Sequence, residues 1–343
     1  MARERLISGQ PTTEDQVNEQ ISPAMRPQKM DEYVGQAELL EKLRIAITAA
    51  KMRNEPMEHV LLSGPPGLGK TTLAYLIADE LNGSRPVITS GPALARPSDL
   101  VGILTNLKRG DVLFIDEIHR LPSIVEEYLY PAMENFQVDF VLDSGPHSQS
   151  VNLPLQPFSL IGATTRSGLI SGPMRSRFGI AHHLQYYTVP ELLLILQRSC
   201  QRLALTINLE ALTLIAQRSR GTPRVANRLL RRIRDFALVR ADGLVDHKLV
   251  EDALKLERID PLGLDELDRR VMMILARDYN GGPAGIEAVA ATLGEERDTL
   301  EDVVEPFLMQ IGFIRRTPRG RQLTAAAYQH LGLTINTEDR SLF

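Results

Sequence analysis

Residues 64–71, which read GPPGLGKT, have the types and spacing of a phosphate-binding loop. Glycines at the fixed positions let the backbone curl so that its N–H groups point at phosphate oxygens, and the positive end of a following helix adds to that field. The lysine can reach the β- and γ-phosphates, and the hydroxyl after it can bind Mg²⁺. The pattern therefore predicts a site for ATP and Mg²⁺, formed by Gly64, Gly67, Gly69, Lys70 and Thr71.

A second candidate is the acidic pair Asp116 and Glu117, which follows the apolar run of residues 111–115. A carboxylate at the carboxyl end of a strand beside the phosphate loop is suited to hold Mg²⁺, and Glu117 could then orient or deprotonate the attacking water. By itself the pair would suit an acidic turn before a helix equally well. Its distance downstream of the loop favours hydrolysis, with His119 as a structural residue rather than a base.

Hydroxyl and guanidinium groups further along the chain supply weaker signals. Thr164 and Thr165 end the apolar run SLIGATT, where a hydroxyl could bond the γ-phosphate or the lytic water. Arg177, in PMRSRFG, and Arg224, in GTPR, are suited to phosphate because a guanidinium donates in parallel and stays charged. Each of these arginines taken alone would be a solvated surface charge.

The periodicity of the first half predicts the elements that position these residues. Apolar residues four, four and three apart predict a helix at 38–53. Short apolar runs bounded by glycine, proline or aspartate predict strands, and the segments between them have helical spacing. Alternating strands and helices predict a parallel sheet covered on both faces. The predicted strands are 59–64, 86–90, 111–116 and 158–165, and the predicted helices between them include 70–81 and 98–107.

The second half predicts two further units. Residues 190–203, 208–218, 223–240 and 246–257 are predicted to be consecutive helices, with Thr222 as a hydroxyl N-cap before Pro223. After a short linker at 259–266, three helical stretches and the basic segment GFIRRTPRGRQLT outline a winged helix. We therefore expect an N-terminal arm at 1–25, an α/β ATPase domain at 26–189, an all-helical lid at 190–260 and a winged-helix domain at 261–343.

Composition limits the class of protein. The chain of 343 residues has a net charge of −4 and one cysteine, so we expect no disulfide framework, and any contact with nucleic acid must come from a local basic patch. Its longest aliphatic runs are much shorter than the roughly 18 residues of a membrane span. These features predict a cytoplasmic protein without a membrane segment.

Taken together, the motifs resemble the AAA+ family, and within it the motors that drive branch migration of Holliday junctions. The resemblance extends from about residue 26 to residue 332 and includes IGATTR, RSRFG, RGTPR and RTPRGR in the expected order. It implies that Asp116 and Glu117 form the Walker B pair, that Thr165 is sensor 1 and that Arg224 is sensor 2. It also implies that Arg177 is an arginine finger that reaches the γ-phosphate in the neighbouring subunit.

The resemblance also implies a wider set of nucleotide contacts around the phosphate loop. Met25 departs from the family, which typically has leucine there, but the two side chains are apolar and similar in volume. The additional contacts implied are Met25, Arg26, Thr72, Glu134, Asn135, Phe136 and Tyr187.

A homohexameric ring around duplex DNA is the assembly that the resemblance implies, with RuvA as the partner that holds the junction and RuvC as a further partner. RuvA would dock on a hairpin, for which residues 136–157 are the candidate because QVDFVLD alternates, SGP suits a turn and SVNL can return. Val138, Phe140 and Leu142 would share one face of the first strand. That face could bind the partner or pack inside the domain, and the sequence favours neither.

DNA contact is predicted for the basic wing, because arginines crowd a short hairpin in a chain that is otherwise negative. The helix before the wing is acidic, which argues against sequence-specific reading in the major groove. By resemblance, the DNA contacts are Arg316 and Arg321, with Arg297 as a third. A clamp loader or an ATP-dependent regulator uses the same ATPase core and is the alternative function.

Overall fold

A computed structural model describes residues 25–141, 150–241 and 244–334 of the chain. The predicted N-terminal arm, apart from Met25, and the last nine residues lie outside these ranges. The turn of the predicted hairpin and Leu142 also lie outside them.

The first unit is a sheet covered by helices, as the alternating pattern predicts. Five parallel strands have the order β2-β3-β6-β1-β7, and β4 and β5 form a separate antiparallel hairpin. Because the strands of the main sheet are parallel, their carboxyl ends meet at one edge. The elements are α1 (Ala37–Arg53), β1 (Val60–Ser63), α2 (Lys70–Asn82), β2 (Val87–Ser90), α3 (Pro97–Leu104), β3 (Val112–Asp116), α4 (Ser123–Asn135), β4 (Gln137–Val141), β5 (Ser150–Pro154), β6 (Ser159–Thr164), α5 (Gly172–Arg175) and β7 (Ile180–His183).

Successive residues of the central strands enter two different hydrophobic clusters, one on each face of the sheet. Leu62 and Phe114 pack with α1 and α2, whereas Leu61, Leu113 and Ile115 pack with α3 and α4. This alternation follows from the period of two along a strand. It explains why the strands are continuous apolar runs, since both faces are buried.

The second unit consists of four helices, as predicted. Thr222 occupies the N-cap position of the third, but its hydroxyl donates to the carbonyl of Ser219 instead of capping the helix, so the predicted hydroxyl cap is wrong. Pro223 does lie in the first turn. The helices are α6 (Val189–Arg202), α7 (Leu209–Gln217), α8 (Pro223–Arg240) and α9 (His247–Leu256).

The third unit has the predicted three helices and hairpin, followed by one more short helix. We call residues 297–310 the acidic helix; it is α-helical at Arg297–Thr299, π-helical at Leu300–Val304 and α-helical again at Glu305–Gln310. This unit has its own hydrophobic cluster. Its other elements are α10 (Glu266–Arg277), α11 (Ile286–Leu293), β8 (Ile314–Thr317), β9 (Gly320–Leu323) and α12 (Ala325–His330). The fold class predicted from the sequence is confirmed.

A buried ion cluster joins the second and third units. The guanidinium of Arg220 lies 2.7 Å from a carboxylate oxygen of Asp265 and 2.6 Å from one of Asp268. It also donates to the carbonyl of Gly263 at 2.8 Å and lies over the ring of Phe307. Asp268 is fully buried, so this cluster replaces water around its carboxylate.

Candidate nucleotide site and basic wing

The phosphate loop connects β1 to α2 at the carboxyl edge of the sheet. Gly67 and Gly69 have φ values of +82° and +101°, a region that residues with a Cβ rarely adopt. A Cβ on Gly67 would lie 2.7 Å from Cβ of Arg224, and a Cβ on Gly69 would lie 2.7 Å from the hydroxyl of Tyr33. Glycine is therefore required at both positions by backbone conformation and by close neighbours.

Lys70 lies within this loop and is nearly buried, with 8% of the residue exposed. Its ammonium group donates to the carbonyls of Gly64 at 2.7 Å and Pro65 at 2.9 Å. Burial lowers the pKa of Lys70 to about 8, although the negative charges of Asp116 and Asp302 act in the opposite direction. The loop therefore holds a positive charge at a site where a nearby anion would stabilise it.

The acidic pair lies at the carboxyl end of β3, as predicted. The amide of Glu117 donates to Oδ1 of Asp116 at 2.9 Å, and Glu117 itself has a φ of +47°. Burial raises the pKa of Asp116, and this hydrogen bond and Lys70 partly offset the effect. The carboxylate of Glu117 is 38% exposed and pairs with Arg120 at 3.0 Å. The two carboxylates thus occupy different environments, one partly buried beside the loop and one accessible.

Strand β6 lies between β1 and β3, so its end separates the phosphate loop from the acidic pair. The Thr164 hydroxyl lies 2.9 Å from Nδ1 of His119 and accepts a hydrogen bond from the amide of Arg166 at 3.0 Å. The Thr165 hydroxyl oxygen is buried and has no hydrogen-bond partner among the described residues. An unsatisfied buried hydroxyl is costly, so a phosphate or water bound at this edge would stabilise it.

Residues from three segments surround the loop. The amide of Arg224 donates to the carbonyl of Gly67 at 3.3 Å, although its side chain is exposed. The hydroxyl of Tyr187 lies 3.0 Å from that of Tyr33, and burial raises the pKa of Tyr187 to about 12. Met25 is buried in the hydrophobic cluster that also contains Tyr33 and Tyr187. The guanidinium of Arg26 lies over the ring of Tyr75. Thr71 and Thr72 are half-buried in the first turn of α2.

Tyr33 is a site residue that the sequence reasoning missed. Its hydroxyl donates to the carbonyl of Leu68 at 3.2 Å, and it closes on Gly69 of the phosphate loop. Burial raises its pKa well above the ordinary value. The segment MRPQKMDEYVGQ contained the signal, since a tyrosine between charged residues and a glycine follows Arg26 closely.

Arg177 pairs with residues of α4. Its guanidinium lies 3.1 Å from the carboxylate of Glu134 and 4.2 Å from the ring centroid of Tyr130. Glu134 and Asn135 are exposed, whereas Phe136 is half-buried and packs edge-on against Phe158. The structure therefore brings Arg177 and Glu134 together.

The wing arginines pair with the acidic helix. Arg316 and Arg321 both donate to Glu305, with shortest distances of 2.9 Å in each pair, and Arg321 also pairs with Glu301 at 3.2 Å. The pKa of Glu305 is below its ordinary value, because the two arginines outweigh the effect of burial. The arginine cluster therefore has a neutralising anion within its own domain.

The three arginines predicted to contact DNA differ in how far their side chains are exposed. The side chain of Arg316 is 55% exposed and that of Arg297 is 51% exposed, although the latter pairs with Glu287 and Glu301. The side chain of Arg321 is only 13% exposed. Arg315 and Arg319, which the resemblance did not select, are exposed on the same hairpin.

The predicted hairpin for the partner is present as β4 and β5, paired from Gln137 with Pro154 to Val141 with Ser150. Val138 is fully buried in the hydrophobic cluster that α3 and α4 form on the sheet of the first unit, so this member of the predicted face packs inside the domain. Asp139 points the other way along the strand and accepts a hydrogen bond from Asn152 at 2.8 Å.

Three family models match consecutive parts of the chain. They describe the Holliday junction DNA helicase RuvB P-loop domain at residues 25–184, the RuvB AAA lid domain at 187–260 and the RuvB C-terminal winged helix domain at 261–332. Within the described residues, no helix is long and apolar enough to cross a membrane.

Two curated relatives and a solved structure agree with these models. The Holliday junction branch migration complex subunit RuvB of Kosmotoga olearia is 53% identical over 94% of each chain, and that of Ligilactobacillus salivarius is 52% identical over 98% of each. A structure of Thermotoga maritima RuvB, described as a Holliday junction branch migration motor, is 49% identical with a TM-score of 0.83 and covers 91% of this chain and 99% of its own.

Proposed function

The chain belongs to the RuvB family, and we infer from this that it is an ATP-driven motor that promotes branch migration of Holliday junctions in recombination and DNA repair. The observation that carries the inference is the presence of a phosphate loop, a lid and a winged helix in one chain, each matched by its RuvB model. A clamp loader or a regulator would share the ATPase core but not this set of three.

We propose that the nucleotide is ATP and that Mg²⁺ accompanies it. A hydroxyl and one carboxylate suit Mg²⁺, which keeps several waters and binds phosphate, and the ion would offset charge that develops on the phosphates. Thr71 and Asp116 hold the ion, and Lys70 binds the β- and γ-phosphates. The remaining contacts are Gly64, Gly67, Gly69, Thr72, Met25, Arg26, Tyr187 and Arg224.

Hydrolysis then depends on Glu117 and Thr165. The carboxylate of Glu117 accepts the proton of the attacking water or orients it, and its exposure leaves room for water to approach. The Thr165 hydroxyl donates to the γ-phosphate or to that water, which satisfies a group that has no partner among the described residues. These roles follow from position in the motif and from the contacts above.

Arg177 acts in the neighbouring subunit of a homohexameric ring. Its pairing with Glu134 keeps the guanidinium partly shielded in its own chain, with 19% of the side chain exposed. Exchange of this carboxylate for a γ-phosphate replaces one anionic partner by another, so the transfer costs little charge desolvation. Glu134, Asn135 and Phe136 then lie on the same side of the subunit interface as the finger.

The basic wing grips the backbone of duplex DNA without reading its sequence. Arg316, Arg321 and Arg297 are the proposed contacts, and the exposed Arg315 and Arg319 add positive charge to the same hairpin. Contact requires Arg316 and Arg321 to exchange Glu305 for a phosphate. An acidic helix beneath a basic wing suits binding to phosphates rather than to base edges.

RuvA is the proposed partner that holds the junction, and it docks on the part of the β4 and β5 hairpin that lies beyond the buried Val138. RuvC is a further proposed partner. We also propose a cytoplasmic location and the division into an arm at 1–25, an ATPase domain at 26–189, a lid at 190–260 and a winged-helix domain at 261–343.

The test is an assay of ATP hydrolysis and strand exchange on a synthetic four-way junction, with and without RuvA. We expect the junction to stimulate hydrolysis and RuvA to stimulate branch migration, with Glu117→Gln as a control that binds nucleotide but does neither. Hydrolysis that ignores the junction, without branch migration, would instead favour a clamp loader or a regulator.

A further inference from the structure

Arg166 connects the candidate nucleotide site to the winged-helix unit. Its guanidinium lies 2.8 Å from Asp302, 3.0 Å from Asp298 and 3.1 Å from Glu301, all on the acidic helix. The side chain is only 24% exposed, and that of Glu301 is 10% exposed. A network of this kind, partly shielded from water, holds its members more firmly than an isolated surface pair.

The acidic helix is built to present these carboxylates together. Asp298, Glu301 and Asp302 are three and four residues apart, so they lie on one side of the helix. Leu300 and Val304 are buried in the winged-helix cluster and fix the helix from its other side. Three carboxylates therefore converge on one guanidinium, whose planar fork has enough donors for all three.

Thr165 and Arg166 directly follow the end of β6. The amide of Arg166 donates to the Thr164 hydroxyl, which in turn lies 2.9 Å from His119, two residues after Glu117. The backbone that carries Thr165 is thus held between the Walker B segment on one side and an arginine anchored to another unit on the other. A shift of Arg166 would move the Thr165 hydroxyl directly.

Asp302 is close enough to the site to act on its charges. It raises the pKa of Lys70 and that of His119, although burial is the larger effect on both and lowers them. The winged-helix unit therefore contributes negative charge near the phosphate loop of its own chain.

We propose that Arg166 is a positioning residue for ATP hydrolysis, held in place by Asp298 and Asp302 of the winged-helix unit. It acts through Thr165, whose place at the end of β6 it fixes, and it does not touch the reacting atoms. The winged-helix unit thereby takes part in setting the turnover rate of its own chain, independently of DNA.

The experiment is a double-mutant cycle on the full chain, with ATPase measured in the absence of DNA. Arg166→Ala is expected to lower kcat by about 10- to 100-fold, because misplacing a positioning group by about 1 Å can cost that much. The double substitution Asp298→Asn and Asp302→Asn, in the acidic helix of the winged-helix unit, is expected to lower kcat by about 3- to 10-fold. KM and the affinity for a fluorescent ADP analogue should stay within about twofold at pH 7, where Lys70 keeps its proton, because Arg166, Asp298 and Asp302 are not among the proposed phosphate contacts.

Coupling within the cycle separates positioning from a general structural effect. Once Arg166 is alanine, the two asparagine substitutions should lower kcat no further, and Arg166→Lys should restore part of the rate. Glu287→Gln is the matched control, because it removes a carboxylate of the same unit that, among the described residues, pairs only with Arg297, and its kcat should be unchanged.

Several outcomes would overturn the proposal. Full kcat in the asparagine variant would show that Asp298 and Asp302 do not hold Arg166 in place for hydrolysis, and additive losses in the cycle would show that these two carboxylates act by another route. A rise in kcat would show that the contact restrains the site. Because the carboxylates of Asp298 and Asp302 are 57% and 25% exposed, their amide variants should fold. The assay of these variants therefore remains decisive even if the Arg166→Ala protein does not fold.

Discussion

Replacement of Arg220 by methionine should loosen the junction between the lid and the winged-helix unit, and the loss should depend on pH. Arg220 is the cation between two carboxylates, of which Asp268 is fully buried. Burial raises the pKa of Asp268 to about 7, whereas Arg220 acts to lower it. Asp265 differs, because Arg220 and hydrogen bonds from Asp268 outweigh burial and keep its pKa below the ordinary value.

These pKa shifts determine the sign of the effect. The pKa of Asp268 is higher in the folded state than its ordinary value, so its contribution to stability is largest in acid and is lost as pH rises through about 7. Without Arg220 its pKa would rise further, and the ionised form would be more costly. Breaking a buried ion pair costs about 3–5 kcal/mol, which we expect at pH 8.5. At pH 5.5 the carboxyl of Asp268 is neutral, so the loss is limited to hydrogen bonds and to the pair with the more exposed Asp265, about 1–3 kcal/mol.

Hydrogen exchange of α10, read by mass spectrometry and corrected for the intrinsic effect of pH, measures this local stability in a protein whose units need not unfold together. Asp265 stays ionised at both pH values, so the difference reports on Asp268. Arg258→Met is the control, because its pair with Glu266 at the same junction is exposed and worth about 1 kcal/mol or less. A loss below about 1 kcal/mol at pH 8.5, or an equal loss at both pH values, would refute the reasoning.

Four further outcomes are expected. Lys70→Ala should abolish nucleotide binding, whereas Glu117→Gln should leave ATP bound and unhydrolysed; normal hydrolysis by the latter in a turnover assay would reject the Walker B assignment. Arg177→Ala should abolish hydrolysis in the ring but not binding, and mixing it with Lys70→Ala should restore some ATPase; mixed rings without any activity would argue against action in trans. The affinity for ATP, measured by titration from pH 6.5 to 9.5, should weaken above about 8 as Lys70 loses its proton, and a flat profile would contradict a lowered pKa. Glu305→Gln should strengthen binding to unrelated duplexes severalfold, because Arg316 and Arg321 lose an internal partner; unchanged binding in a fluorescence titration would mean that the two anions do not compete.

Most of the fold could be predicted because the apolar residues recur with a clear helical or strand period and because glycine, proline and aspartate mark the ends of the elements. The helix predicted at 70–81 is observed at Lys70–Asn82, and the strand predicted at 111–116 at Val112–Asp116. Strand β7 was missed, since it is a four-residue edge strand whose residues are alternately half-buried and exposed. The helix predicted at 98–107 ends at Leu104, where the side chains of Thr105 and Asn106 bond back to carbonyls of the last turn.

The candidate site was predictable where one motif supplies it and not where distant segments meet. The order of the strands, with β6 between β1 and β3, explains why the phosphate loop, the Walker B pair and Thr165 meet at one edge. The contacts of Arg166 with the acidic helix span more than 130 positions along the chain, and neither local pattern indicates the other. The pairing between the wing and Glu305 likewise depends on the tertiary structure, so the count of charges in the sequence could not predict it.

The carboxylates of the acidic helix occupy the wing arginines in the place of DNA phosphates. Glu301 and Glu305 resemble two adjacent phosphates, because both kinds of group are anions that accept hydrogen bonds from a guanidinium. DNA must displace them, and the freed carboxylates then attract cations that partly replace those released from the duplex. The slope of log affinity against log salt should therefore be smaller than about 0.9 for each arginine in contact. A wing that always has an anion to return to can release one phosphate before it grips the next, which suits a protein that must move along its substrate.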